Sequence, residues 1–178
     1  MTCLFRIMLF TIVTFFFFFQ QPSFAESDYI LPYPSLMPGH RFYKILEIID
    51  WIRGAWSFGS FAQFTNRLSL ADRKLVEAKT LFEYKQYLLA TDAISFYKRH
   101  LCKAADALKR AKREGKNITE KKKLFVAATL THKQVLERTK EEHPPEVVWK
   151  PERGEHKIIA IGQVIERAIM KGKECKEE

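Results

Sequence analysis

The chain has 178 residues, of which 47% are hydrophobic, and carries 30 Lys and Arg against 21 Asp and Glu, a formal net charge of +9. This composition excludes a wholly disordered or collagen-like protein, and the length indicates one domain or one domain with an appendage. Three Cys are too few for a disulfide scaffold. Seven Gly and seven Pro are too few for a chain of many short strands and turns.

The first 25 residues have the order of a secretory signal peptide. Arg6 precedes an apolar run from Met8 to Phe19, and Ser23-Phe24-Ala25 carries small residues at the two positions that a signal peptidase reads. A membrane-spanning helix needs about 20 apolar residues, and this run is shorter. We therefore expect residues 1–25 to be cleaved after Ala25 and the protein to be secreted or to lie at the cell surface. The alternative is an uncleaved N-terminal membrane anchor.

The rest of the chain divides into three parts. Residues 26–39 form a Pro-rich extended lead, since Pro restricts itself and the residue before it to non-helical backbone. Residues 40–143 show helical periodicity and are predicted to form a bundle domain. Residues 144–178 are predicted to be a Pro-containing linker, one amphipathic helix and a charged tail. No segment alternates with period two, so the predicted fold class is all-α: an antiparallel helical hairpin or bundle of about five helices.

Two heptad seams form the longest regular pattern. The first contains Phe61, Phe64, Leu68, Ala71, Leu75, Ala78 and Phe82, and the second contains Ala90, Ile94, Tyr97, Leu101, Ala104, Leu108 and Ala111. The seams differ in phase by one residue, so one continuous helix cannot present both on the same face. We therefore predict a tight turn within residues 83–89 and an antiparallel hairpin.

Three further helices are predicted around this hairpin. One precedes it, with apolar residues at helical spacing from Phe42 to Trp56. Gly115 suits the end of the second arm, and Asn117 with Glu120 predicts a capping box for the next helix. That helix is predicted to bury Leu124, Ala128, Thr131, Val135 and Arg138. The last predicted helix contains Ile158, Ile161, Val164, Ile165, Ala168 and Ile169 and ends near Gly172.

Three short segments resemble a known family. They are Leu31-Pro32-Tyr33-Pro34-Ser35-Leu36-Met37-Pro38 with the following Phe42-Tyr43-Lys44, then Leu70-Ala71-Asp72-Arg73-Lys74-Leu75, then Thr131-His132-Lys133-Gln134-Val135-Leu136. Together they resemble a bacterial and archaeal domain family of unknown function that combines a signal peptide, a Leu-Pro-Tyr-Pro-x-Leu-x-Pro motif and a long helical hairpin. The chain departs from that pattern in the order of the basic pair after Asp72, and at Tyr84-Lys85, where the family usually has Lys-Gly. The resemblance implies an extracytoplasmic helical domain and supplies no known activity, cofactor or catalytic residue.

Motifs for catalysis or cofactor binding are absent from the sequence. It has no Gly-rich phosphate loop, no Cys pair at metal-binding spacing and no His-Glu-x-x-His. We therefore expect no enzyme activity, no cofactor and no metal. The five scattered His are expected at the surface. Cys102 and Cys175 could pair after secretion, but we expect two separate thiols because Cys175 lies in a charged tail.

One charged segment stands out. Eleven basic residues and only three acidic ones lie between Lys98 and Lys123, so this segment carries the whole net charge that remains after residue 25. Its predicted binding surface consists of Lys109, Arg110, Lys112, Arg113, Lys116, Lys121, Lys122 and Lys123, here called the basic tip. A helix C-terminus favours cations, which explains the first members, but a helix N-terminus disfavours Lys121 to Lys123. The sequence therefore leaves open whether the basic tip is a solvated helix end or docks on an anionic surface.

The expected partner of the basic tip is an anionic lipid or a wall polymer, since the protein is expected outside the cytoplasm. Narrow heptad seams also allow the alternative of self-association or a protein-interaction scaffold. Nucleic-acid binding is the less favoured class, because no aromatic residue between Arg99 and Lys123 is available to stack on bases.

Overall fold

The computed structural model of the protein describes residues 29–34, 36–151 and 154–177. Its elements are α1 (Tyr43–Ala55), α2 (Ser60–Glu83), α3 (Tyr87–Arg113), α4 (Thr119–Glu142), β1 (Val147–Trp149), β2 (Lys157–Ile159) and α5 (Ile161–Glu177). The predicted all-α bundle of five helices is therefore confirmed. The signal-peptide prediction falls on residues outside the described ranges. In the described part of the chain, no helix is both long and apolar enough to cross a membrane.

The predicted hairpin turn is confirmed between α2 and α3. The backbone N–H groups of Lys85 and Gln86 donate to the carbonyl oxygens of Phe82 and Leu81, each at 2.8 Å, which is the hydrogen-bond pattern of a Schellman helix ending. Lys85 has a φ of 58°, in the left-handed region that glycine usually occupies. The turn therefore forms without Gly because the backbone hydrogen bonds of the α2 terminus are satisfied.

Four of the helices, α2 to α5, form a bundle in which helices that are consecutive in the chain run in opposite directions. Each of the pairs α2–α3, α3–α5, α5–α4 and α4–α2 packs side by side, so α3 and α4 lie on a diagonal although they are consecutive in the chain. Both heptad seams are buried in this core, except for Phe61, which is half-buried. The connection from α3 to α4 consequently crosses one end of the bundle, and α1 lies outside it along α2.

The predicted buried stripe of α4 is wrong by one position except at Ala128, which is buried as predicted. The buried residues are Phe125, Ala128, Thr129, His132, Leu136 and Thr139, whereas Leu124 and Arg138 are exposed. The apolar residues alone suggested a different face because three members of the true stripe are polar. The hydroxyl groups of Thr129 and Thr139 donate hydrogen bonds to the carbonyl oxygens of Val126 and Val135.

The helix start at α4 also differs from the predicted capping box. The Oδ1 atom of Asn117 accepts a hydrogen bond from the backbone N–H of Thr119 at 3.0 Å, so Asn117 does satisfy a donor at the helix start. Glu120 instead forms an ion pair with Lys123 at 3.2 Å. Gly115 has a φ of 73°, and its N–H donates to the carbonyl oxygen of Lys112, as expected for a helix C-terminus.

A two-stranded antiparallel sheet contradicts the expectation of no strands. Val147 pairs with Ile159, Val148 with Ile158 and Trp149 with Lys157. Each strand has three residues, which is too short to show an alternating pattern in the sequence. Ile158 therefore belongs to β2 rather than to the last helix, and α5 extends beyond Gly172.

A disulfide bond joins Cys102 on α3 to Cys175 on α5, with their Cα atoms 5.3 Å apart. The expectation of two separate thiols is therefore wrong. The charged sequence around Cys175 belongs to the outer face of α5, whose other face buries Ile161, Ile165 and Ala168 against α3 and α4. This packing brings the last turns of α5 alongside α3 and positions the two Cys.

We expect the Cys102→Ser/Cys175→Ser variant to lose about 2–4 kcal/mol of unfolding free energy, because the bond closes a loop with a sequence separation of 73 residues. Urea unfolding followed by circular dichroism measures this loss. As a control, dithiothreitol should lower the wild-type midpoint and leave the variant unchanged. An identical wild-type midpoint with and without the reductant would contradict the bond.

Candidate functional site

The structure brings the basic tip together at one end of the bundle. Residues 109–113 form the last turn and a half of α3, Lys116 lies in the connection, and residues 121–123 lie in the first turns of α4. Lys176, near the end of α5, reaches the same end and lines a cleft with Lys109, Lys112 and Lys122. Lys176 could not be predicted from the sequence, because only the topology of the bundle places α5 beside the end of α3.

This cleft has a volume of about 230 Å³. Its walls include the apolar side chains of Leu108, Ile118, Phe125 and Val126. The four Lys of the cleft therefore surround an apolar interior. Such a combination suits a ligand that has an anionic group attached to an apolar part.

Ion pairs neutralise only part of the basic tip. Lys116 pairs with Glu114 at 2.7 Å, and Lys123 pairs with Glu120. Hydrogen bonds from Lys116 and Ser60 lower the pKa of Glu114, which keeps this carboxylate ionised. In the part of the chain that the structure describes, Lys112 and Lys122 have no carboxylate within ion-pairing distance and are exposed. An outward positive charge therefore remains.

A second group of polar side chains surrounds the carboxylate of Asp72, which is buried in the bundle. The Tyr29 hydroxyl donates to Oδ2 of Asp72 at 2.6 Å, and Nε2 of His132 lies 2.8 Å from Oδ1 of the same carboxylate. His132 is 1% exposed, and the Tyr97 ring packs edge-on against it with ring centroids 5.5 Å apart. The expectation that His132 lies at the surface is therefore wrong, because Asp72 provides a partner inside the core.

The chemistry of this buried cluster favours a role in assembly. Burial raises the pKa of Tyr29, and the hydrogen bond to Asp72 raises it further, so the phenol stays protonated and remains a donor. Burial also raises the pKa of Tyr97. The His132 ring is too enclosed to touch a substrate in this conformation. The cluster instead joins the Pro-rich lead, α2 and α4 through one carboxylate.

The two residues after Asp72 attach α1 to the bundle. Arg73 forms an ion pair with Asp50 at 2.5 Å. Lys74 donates to the Tyr43 hydroxyl at 2.7 Å and to Glu77 at 2.8 Å. Asp72 thus contacts the lead and α4, and Arg73 and Lys74 contact α1. These three residues belong to one of the segments that resemble the family.

Another cleft, of about 250 Å³, lies between α1 and the α2–α3 hairpin. Arg67, Lys74 and His100 line it from the hairpin, and Glu47 and Asp50 line it from α1. Burial lowers the pKa of His100 to about 4, with smaller contributions from nearby cations that begin with Arg67. His100 is therefore neutral at physiological pH, and the carboxylates of α1 compensate the charge of this cleft.

Comparison with known families agrees with the resemblance seen in the sequence. Residues 35–146 match the family model described as domain of unknown function (DUF5667). The match spans α1 to α4 and ends before the sheet and α5. No curated protein and no solved structure matches the chain. Among the described residues, no group of His, Cys, Asp and Glu side chains is arranged to hold a metal ion.

We expect Tyr29→Phe to lower the free energy of unfolding by about 1–3 kcal/mol, because one oxygen of the buried Asp72 carboxylate loses its donor. Tyr33→Phe is the matched control, since Tyr33 is 94% exposed and four residues away in the same lead. The control should change the stability by less than about 0.5 kcal/mol in urea unfolding. Equal stability of both variants would show that Tyr29 does not support Asp72.

Proposed function

We propose that this chain, which belongs to the family of domains of unknown function DUF5667, is a non-enzymatic extracytoplasmic helical module that docks on an anionic surface through its basic tip. The observation that carries the proposal is the convergence of the α3 end, the α4 start and Lys176 of α5 around one cleft. Ion pairs compensate only part of this charge. Fold stability alone explains neither the convergence of these cations around one cleft nor their incomplete pairing with carboxylates.

Helix electrostatics support the same conclusion. The start of α4 carries three consecutive Lys, although positive charge near a helix N-terminus costs a few tenths of a kcal/mol per residue. Lys123 recovers part of that cost through Glu120, while Lys122 faces the cleft. Each basic residue close to an anionic membrane surface contributes about 1 kcal/mol of binding free energy, which exceeds the cost.

Two features favour a location outside the cytoplasm. Residues 1–25 have the pattern of a signal peptide, and the alternative remains an uncleaved membrane anchor. The Cys102–Cys175 disulfide bond fits an oxidising compartment, where such bonds form and persist. Anionic lipids and wall polymers are the polyanions available there.

The other proposed classes have less support. Self-association through the heptad seams would require open seams, but α2 and α3 bury them against each other. A protein-interaction scaffold would therefore have to use another surface. Nucleic-acid binding remains less favoured, because the segment from Arg99 to Lys123 offers no aromatic side chain for stacking.

The Lys121→Gln/Lys122→Gln/Lys123→Gln variant should bind anionic surfaces at least about tenfold more weakly, because three contributions of about 1 kcal/mol are removed in part or in full. Co-sedimentation with phosphatidylglycerol vesicles and with purified wall polymer measures binding. Raising the salt to 1 M should also weaken it, since the Debye length falls to about 3 Å. The thermal midpoint should stay equal or rise slightly, because cations leave a helix N-terminus.

The matched control is Lys85→Gln/Lys150→Gln/Lys157→Gln, which removes the same charge from exposed residues at the opposite end of the bundle. It should bind nearly as well as the wild type. Equal weakening by both variants would mean that only net charge matters. Absence of binding to every anionic surface at low salt would reduce the basic tip to a solvated helix end.

A further inference from the structure

Helix α1 packs on the bundle with its polar side. Asp50 pairs with Arg73, and the Tyr43 hydroxyl donates to Glu77 at 2.9 Å while it accepts from Lys74. No residue of α1 is buried. These contacts fix which face of α1 points toward the bundle, and therefore which face points away from it.

The outward face of α1 is an apolar stripe. Its members are Ile45, Ile48, Ile49, Ile52 and Trp56, which follow helical spacing and are between 37% and 76% exposed. Trp51 is 74% exposed but lies on the side of α1 that lines the cleft against the bundle, so Trp56 is the Trp of the stripe. Contiguous apolar surface of this kind on a soluble domain indicates an interaction site.

The charges of α1 are sorted around this stripe. Lys44 lies one turn before Ile48, and Arg53 lies one turn after Ile49, so basic residues border the stripe on both sides. The acidic residues Glu47 and Asp50 face the cleft against the bundle instead. An apolar stripe with Trp and flanking cations is the pattern of a helix that lies in the interface of an anionic membrane.

The C-terminal end of the stripe lies near the basic tip. After α1 the chain passes through Trp56 and Phe58, which is 82% exposed, and reaches Ser60 at the start of α2. The Ser60 hydroxyl donates to Glu114 at 2.7 Å and accepts from Lys116 at 3.0 Å. Exposed aromatic side chains and the basic tip therefore occupy the same end of the molecule.

We infer that α1 inserts its apolar stripe into the headgroup region of an anionic phospholipid bilayer while the basic tip contacts the lipid phosphates. The inference rests on the proposed docking function and specifies its surface. A wall polymer or a nucleic acid offers no apolar layer to cover the stripe. A second copy of the chain, paired stripe to stripe, would place the flanking cations of both copies against each other.

The test uses a Trp149→Phe background, in which the remaining Trp, Trp51 and Trp56, report on α1. Vesicles of equal parts phosphatidylglycerol and phosphatidylcholine, with and without brominated acyl chains, should blue-shift the emission and quench it. Ile45→Gln/Ile48→Gln should reduce the partition coefficient by about tenfold or more, since two half-exposed isoleucines no longer enter the bilayer. Val148→Gln/Ile158→Gln changes equally exposed apolar residues on the sheet and should bind normally.

The outcomes separate this inference from the proposed function. Binding that depends on Lys121 to Lys123 but shows no quenching and no effect of Ile45→Gln/Ile48→Gln would overturn the insertion of α1 and retain the docking of the basic tip. Binding to wall polymer without binding to vesicles would do the same. A dimer in light scattering that Ile45→Gln/Ile48→Gln dissociates would assign the stripe to a second copy. Absence of binding to both surfaces would overturn both proposals.

Discussion

The buried carboxylate of Asp72 is the constraint on which the arrangement of this molecule depends. A charge placed inside a helical core is costly unless hydrogen-bond donors surround it. Tyr29 from the Pro-rich lead and His132 from α4 supply those donors, so three segments that are distant in sequence must meet at this point. The contact of Tyr29 with Asp72 fixes the position of the Pro-rich lead on the bundle, and the contact of His132 with Asp72 fixes which face of α4 is buried.

The same segment of α2 also determines the surface that the protein presents. Arg73 and Lys74 follow Asp72 on the helix and reach Asp50 and Tyr43 of α1. Because these polar contacts occupy the bundle side of α1, its apolar stripe is left outward. The basic tip lies at one end of the bundle. The connection from α3 to α4 brings the cations of these two helices together there, and the disulfide bond holds α5 with Lys176 beside them. The segment from Asp72 to Lys74 therefore sets the outward face of α1, and the packing of α3, α4 and α5 sets the basic tip.

The sequence predicted what depends on local apolar periodicity and could not predict what depends on buried polar partners. The two heptad seams and the turn near Lys85 follow from residue spacing alone, and both are confirmed. His132 was expected at the surface and Cys175 was expected to be a separate thiol, because their partners, Asp72 and Cys102, are 60 and 73 positions away. The outward face of α1 escaped notice for a related reason: an amphipathic pattern shows that a face is apolar, not that the bundle turns it away. Lys176 lies beside the basic tip only because of the packing of α5.

A double-mutant cycle on Tyr29→Phe and His132→Phe, measured by urea unfolding, tests most directly whether Asp72 organises the fold. Phe keeps the ring of Tyr29, replaces the His132 imidazole by another aromatic ring, and removes the donor in both cases. If both donors share one buried carboxylate, either single variant leaves it partly satisfied and the double variant leaves it bare. The account predicts that the double variant loses at least about 1 kcal/mol more than the two single losses combined. Losses that add within about 0.5 kcal/mol would show that the two donors act independently and would contradict the account.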